Sequence, residues 1–164
     1  MKKKIIITIS WLLVVIWMAI IFMFSNQGSK QSLGGSRQIV RDAIETTVDT
    51  GEKIGIIKEK PTERKIKSVS VGLDYPFRKT IHMCEYFILM ILVLNALYVS
   101  GVKDKKLYIT GIIICFIYAC TDEFHQSFLD RTAKFTDVLI DTTGALLGLL
   151  FYNRGLYIFN KKKK

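Results

Sequence analysis

Residues 5–24 read IIITISWLLVVIWMAIIFMF and follow Met1-Lys2-Lys3-Lys4. The run carries no charge. At about 1.5 Å of helical rise per residue it extends about 30 Å, one hydrocarbon thickness. A cationic start before an apolar run also describes a signal peptide. The apolar core of a signal peptide is usually about 7–15 residues, and no small-residue cleavage pattern follows here. The stretch therefore predicts a retained membrane-spanning helix.

Working outward, three more apolar blocks follow, at 80–99, 107–124 and 135–152. The chain has 164 residues, half of them hydrophobic and 23% charged, with a net charge of +10. Apolar residues fall in blocks and most charges fall between them. That pattern excludes an ordinary soluble globule, a disordered chain and a disulfide-stapled secreted domain. Cys84, Cys115 and Cys120 are odd in number and lie inside apolar blocks, so they read as buried thiols and not as a disulfide framework or zinc knuckle. The expected fold is all-α: a polytopic membrane protein forming one domain over 1–164, a four-helix transmembrane bundle.

An even number of spans places both termini on one side. Lys2, Lys3, Lys4, Lys103, Lys105, Lys106, Arg154 and Lys161 to Lys164 gather on that side. This points to cytoplasmic termini and an extracytoplasmic loop over 25–78. Arg78, Lys79, Arg131 and Lys134 weigh mildly the other way. In the loop, Gly34-Gly35 reads as an interruption. Ile39, Val40, Ala43, Ile44 and Val48 give an amphipathic helical segment over 36–48. Residues 51–70 read as a charge-mixed, mobile connector. There is no internal repeat and no nucleic-acid motif, because lysines flanking the spans account for the basic balance. No feature sets an oligomeric state.

The spans are not uniformly apolar. The second carries His82 and Glu85, the third ends in Asp122-Glu123, and the fourth contains Asp137 and Asp141. Each charge costs roughly 2.5–3.5 kcal/mol at mid-depth, so such residues need partners or a wet cavity. Arg78, His82 and Glu85 run i, i+4, i+7. Asp137, Asp141, Gly144 and Gly148 run i, i+4, i+7, i+11. Asp122 and Gln126 are i, i+4. Each set shares one helix face. The Gly144-x-x-x-Gly148 pair permits close approach of a neighbouring helix. With Ser25-Asn26-Gln27 ending the first span, all four spans bring polar residues to one outward-open cup. Stitching of helix ends by ion pairs is the competing structural reading. His125 stands between joining the cup and facing solvent.

These residues carry a resemblance. Phe24-Ser25-Asn26-Gln27 resembles F-S-x-Q of the VanZ-like family, named for a teicoplanin-resistance protein. Arg78-Lys79-x-x-His82-x-x-Glu85-Tyr86 resembles its R-K-x-x-H-x-x-E-Y. Asp122-Glu123-x-x-Gln126-x-Phe128-x-x-x-Arg131 resembles D-E-x-x-Q-x-F-x-x-x-R, and Asp137-x-x-x-Asp141-x-x-Gly144-x-x-x-Gly148 resembles D-x-x-x-N-x-x-G-x-x-x-G. Asp141 places a carboxylate where that pattern often has an amide. The resemblance implies a multi-pass protein of the bacterial cytoplasmic membrane, linked to the cell envelope and, in some members, to glycopeptide tolerance. It supplies no reaction.

Two classes of function fit the cup. In the first, an enzyme acts on an envelope lipid or lipid-linked cell-wall precursor. His82, Glu85, Asp122 and Glu123 are then the catalytic candidates, with His82 as general acid/base. Arg78, Lys79, Gln126, Arg131, Asp137, Asp141, Ser25 and Gln27 are the substrate-binding candidates, since Arg grips phosphate bidentately. A metal variant uses His82, Glu85 and a carboxylate of Asp122 or Glu123, but no recognised metal signature is present and no cofactor is assigned. In the second class, a non-catalytic module binds a lipid-linked precursor, an antibiotic or a partner protein. A transporter is a third reading, disfavoured by so few spans.

Overall fold

The computed structural model describes residues 2–26, 29–128 and 134–161, with backbone alone for 29–33 and 156–161. The candidates Gln27 and Arg131 lie outside the described residues, as do Lys162 to Lys164. Five helices follow in order: α1 (Lys2–Ser25), α2 (Ser29–Lys53), α3 (Glu63–Val99), α4 (Asp104–Gln126) and α5 (Phe135–Lys161). Among the described residues there is no strand. The chain divides into two compact units, one of residues 1–27 and 81–164, the other of 28–80.

In the first unit the later part of α3 is the centre. Tyr86, Leu89, Met90, Val93, Leu94 and Leu97 are buried, spaced at i, i+3, i+4, i+7, i+8 and i+11 along one broad face. Gly111 of α4 meets this face. A Cβ there would lie 2.7 Å from the Leu94 side chain. Gly144 and Gly148 of α5 come closer still. A Cβ on Gly144 would stand 2.1 Å from the carbonyl oxygen of Met83, and one on Gly148 2.4 Å from that of Phe87. The glycine pair therefore lets two helix backbones touch, as the spacing predicts. The α3–α4 turn closes in a Schellman arrangement. Gly101 has φ +101°, its N–H donates to Tyr98 O at 3.0 Å, and Val102 N–H donates to Leu97 O at 3.0 Å, which satisfies the last carbonyls of α3.

α1 is built inside out by the standard of a water-soluble protein. It buries Ser10, Val14, Ile21 and Ser25 and exposes Ile5, Ile9, Leu12, Val15, Ile16 and Met23. Serines inside and a continuous isoleucine surface outside suit a hydrocarbon solvent, not water. α1, α3, α4 and α5 (to Gly155) are each long and apolar enough to cross a membrane. The chain is a multi-pass membrane protein of four such helices. Polar side chains tie the helices together. Trp17 Nε1 donates to the Glu85 carbonyl at 3.0 Å, Tyr118 Oη to the Met18 carbonyl at 2.6 Å, and Tyr108 Oη to Asn153 Oδ1 at 3.0 Å.

The second unit corrects the expected loop. Most of 25–78 is helical: α2 runs unbroken through Gly34-Gly35 and α3 begins at Glu63, so that 54–62 is the connection between them. The expected segment 36–48 sits inside α2, and the expected span start at residue 80 lies well within α3. The reason is packing. Ser36, Val40 and Val48 of α2 and Ile66, Ser70 and Asp74 of α3 are buried, and tertiary burial outweighs the weak helix propensity of glycines and mixed charges. α3 also passes through Pro76; the carbonyl that the missing N–H leaves unbonded is that of Gly72, an exposed residue, where solvent can satisfy it. Ile57 folds back over Gly51, with Ile56 and Ile57 both donating to the Gly51 carbonyl. Lys60 Nζ donates to Asp49 Oδ1 at 2.7 Å. That bond holds the exposed Asp49 carboxyl below its usual range and the Lys60 ammonium above its own. Cysteine placement differs from expectation at one site: Cys115 is buried and Cys120 half-buried, but Cys84 is exposed on α3, where the neighbouring helices leave its face uncovered.

The glycine contact gives a direct test. Gly144→Ala forces the Met83 backbone away and should destabilise the purified protein by at least about 1–3 kcal/mol, the usual cost of overpacking, read as a lowered unfolding midpoint in detergent. Gly35→Ala, with nothing within 4 Å of its Cβ position, should instead gain about 0.5–1 kcal/mol. Equal effects of the two would contradict the close approach.

Candidate functional site

The site of the first unit follows from that approach. Asp141 precedes Gly144 by three residues on the same α5 stripe, so contact of Gly144 with Met83 sets Asp141 beside the residue before Met83. His82 Nδ1 lies 3.9 Å from Asp141 Oδ1 and 3.6 Å from Glu85 Oε2. Glu85 is on the same α3 face, at i+3 from His82. α4 supplies Asp122 from the end of its small-residue stripe Gly111, Cys115, Ala119, all buried. One donor atom each of His82, Asp122 and Asp141 fall within 4.8 Å of one another. Three helices thus converge on one imidazole and two carboxylates, with a third carboxylate, Glu85, against the ring.

Burial makes this arrangement costly. Asp122 is 2% exposed, Asp141 3% and Glu85 8%. Carboxylates so placed must be hydrogen-bonded or charge-compensated. Gln126 answers part of this: its Nε2 donates to Asp122 Oδ2 at 3.0 Å, as the i, i+4 spacing predicts. Tyr86, one residue past Glu85, is fully buried. Its hydroxyl has no hydrogen-bond partner among the described residues, and Asp122 and Asp141 both act on it electrostatically. A buried hydroxyl without a partner costs about 1–3 kcal/mol.

The other candidates take separate places. Glu123 is buried on α4 and accepts the backbone N–H of Lys134 at 2.7 Å, which ties the end of α4 to the start of α5. Asp137 is half-buried in the first turn of α5. Ser25 is buried as the last residue of α1. His125 is half-buried and packs on the Phe22 ring with centroids 4.4 Å apart, outside the group of three. Arg78 and Lys79 belong to the second unit. There Arg78 pairs with Asp74 at 3.3 Å, and Lys79 Nζ sits 5.5 Å over the Tyr75 ring, a cation–π contact. Asp74 is a hub that sequence reasoning missed. It is buried, accepts a short hydrogen bond from Ser36 Oγ, and lies 3.7 Å from Arg37 Nε. Its i, i+4 relation to Arg78 was the available signal. Tyr86 was also missed as a site residue, although it closes the Arg78–Tyr86 motif.

A family model described as VanZ/LLP1 matches residues 10–159, a range containing all four of the motif pieces that the sequence displays. No curated protein matches the chain, and no solved structure does.

Proposed function

The chain belongs to the VanZ/LLP1 family, and on that footing we propose that its buried polar cluster of His82, Glu85, Asp122 and Asp141 binds and acts on the head group of a cell-envelope lipid or lipid-linked cell-wall precursor. The observation that carries this reading is the His82 ring flanked at 3.6 and 3.9 Å by carboxylates from two helices. An imidazole titrates near working pH, and a carboxylate against it orients the ring and takes up the charge it gains. In this reading His82 and Glu85 are the proton-transfer couple. Asp122, held by Gln126, and Asp141 complete the cluster around the head group. Packing alone does not require three acids and a histidine at such depth, because apolar residues of similar volume would be as stable or more so.

The same reading places the protein in the bacterial cytoplasmic membrane with both termini in the cytoplasm, supported by the lysine clusters at the two ends of the chain and in the α3–α4 turn. It also links the cluster to glycopeptide tolerance, teicoplanin in particular.

Two experiments test it. Expression in a susceptible Gram-positive host should raise tolerance to teicoplanin. His82→Gln and Glu85→Gln, each accumulating normally in the membrane, should abolish the gain. Full tolerance in both variants would overturn the proton-transfer couple, and no gain with the parent chain would overturn the link to teicoplanin. For topology, Ile56→Cys, at an exposed position in the 54–62 connection, should react with an impermeant maleimide added to intact cells. Labelling only after lysis would reverse the orientation.

A further inference from the structure

We propose that His82, Asp122 and Asp141 form a binding site for a divalent transition-metal cation of the manganese, iron(II) or zinc kind. Their donor atoms come from α3, α4 and α5 and lie within 4.8 Å of one another. Ligands about 2.0–2.2 Å from a shared cation stand about 3–3.5 Å apart, so side-chain rotations of about an ångström close the set. One imidazole nitrogen with two carboxylates is a mixed donor set. It suits these ions better than calcium or magnesium, which favour oxygen alone. Three protein ligands also leave coordination positions open, as reactive metal sites do.

The surroundings supply what such a site needs beyond its ligands. Gln126 Nε2 holds Asp122 Oδ2 at 3.0 Å, and Glu85 Oε2 stands 3.6 Å from His82 Nδ1. Outer hydrogen bonds and carboxylates of this sort orient metal ligands. An independent observation comes from Tyr86. Its hydroxyl is buried without a partner among the described residues, in the field of the same two aspartates. A water bound to a cation between those carboxylates gives that phenol its missing partner. Two crowded, desolvated carboxylates repel, and a dication between them reverses the sign of that interaction.

This inference rests on the polar cluster being a reaction site and refines it: with a cation present, His82 is a ligand to the ion. The binding itself is measured without turnover. The full chain, purified in detergent and stripped with chelator, is titrated with Mn²⁺, followed by loss of the free-ion spin-resonance signal, and with Zn²⁺ by calorimetry. One saturable site per chain is expected. His82→Gln and Asp141→Asn should each weaken it by more than the roughly 10–100-fold that loss of an outer-shell partner costs, with metal-free unfolding midpoints reporting that each variant is folded. Asp122→Asn serves where Asp141→Asn does not fold. Asp104→Asn, at the start of α4, should stay within a few-fold of the parent. Absence of saturable binding, or parental affinity in the His82 and Asp141 variants, overturns the site. Absence of binding while His82→Gln still abolishes tolerance removes the cation and leaves the proton-transfer couple standing. Binding by a parent chain without any activity on envelope lipids supports the cation site and removes the function proposed above.

Discussion

The contact on which the rest of this protein depends is backbone against backbone, where Gly144 and Gly148 of α5 lie on Met83 and Phe87 of α3. Within a membrane, helix association gains little from the hydrophobic effect and must come from close packing and polar contacts. Two glycines one turn apart remove the side chains that would hold the helices off. They also fix register: once Gly144 meets Met83, Asp141 has no place to go but beside His82. Packing and chemistry are therefore one feature. A shift of α5 by a single residue would turn its stripe by about 100° and carry the carboxylate away from the imidazole.

Around that contact the polar side chains serve two ends. Trp17, Tyr118 and Tyr108 each reach a neighbouring helix, and such interhelical hydrogen bonds contribute about 0.6 kcal/mol on average, rarely above about 1.7. They steady the bundle, and Trp17 does so at the Glu85 carbonyl itself. The buried acids differ. Asp122, Asp141 and Glu85 carry a desolvation cost that apolar residues of similar volume would not. Retaining them calls for a use, which is the physical reason for placing the chemistry there. α1 takes little part in this core: its buried stripe is narrow, and its broad apolar face matches lipid.

Much of this was legible in the sequence, and the legible parts share a cause. An uncharged 20-residue run has one solution in a membrane, and a G-x-x-x-G stripe below two aspartates states which face looks inward. His82, Glu85 and Asp141 could be placed together because their spacings put them on common faces. Within 25–78 the helical segment over 36–48 was legible, but the full length of α2 and the early start of α3 were not. α2 crosses Gly34-Gly35, and α3 starts among mixed charges and passes Pro76, all local signals against helix that burial of Val40, Ile66 and Asp74 overrides. The grouping of His82 with Asp122 and Asp141 as three donors escaped as well. Metal signatures are recognised by spacing along one segment, and these residues sit on three helices. Asp74 was visible only as another acid in a loop until the fold put Ser36 and Arg37 against it.

The convergence of these helices can be measured as a distance. The chain has two histidines, so His125→Gln leaves His82 as the single source of imidazole signal. With ¹⁵N in that ring and ¹³C in the aspartate carboxyls, dipolar dephasing in lipid bilayers reports whether an aspartate stands next to it. Strong dephasing is expected, as for a ring nitrogen and a carboxylate oxygen 3.9 Å apart. A ring nitrogen that no aspartate carboxyl dephases, in folded protein, would contradict the account at its root.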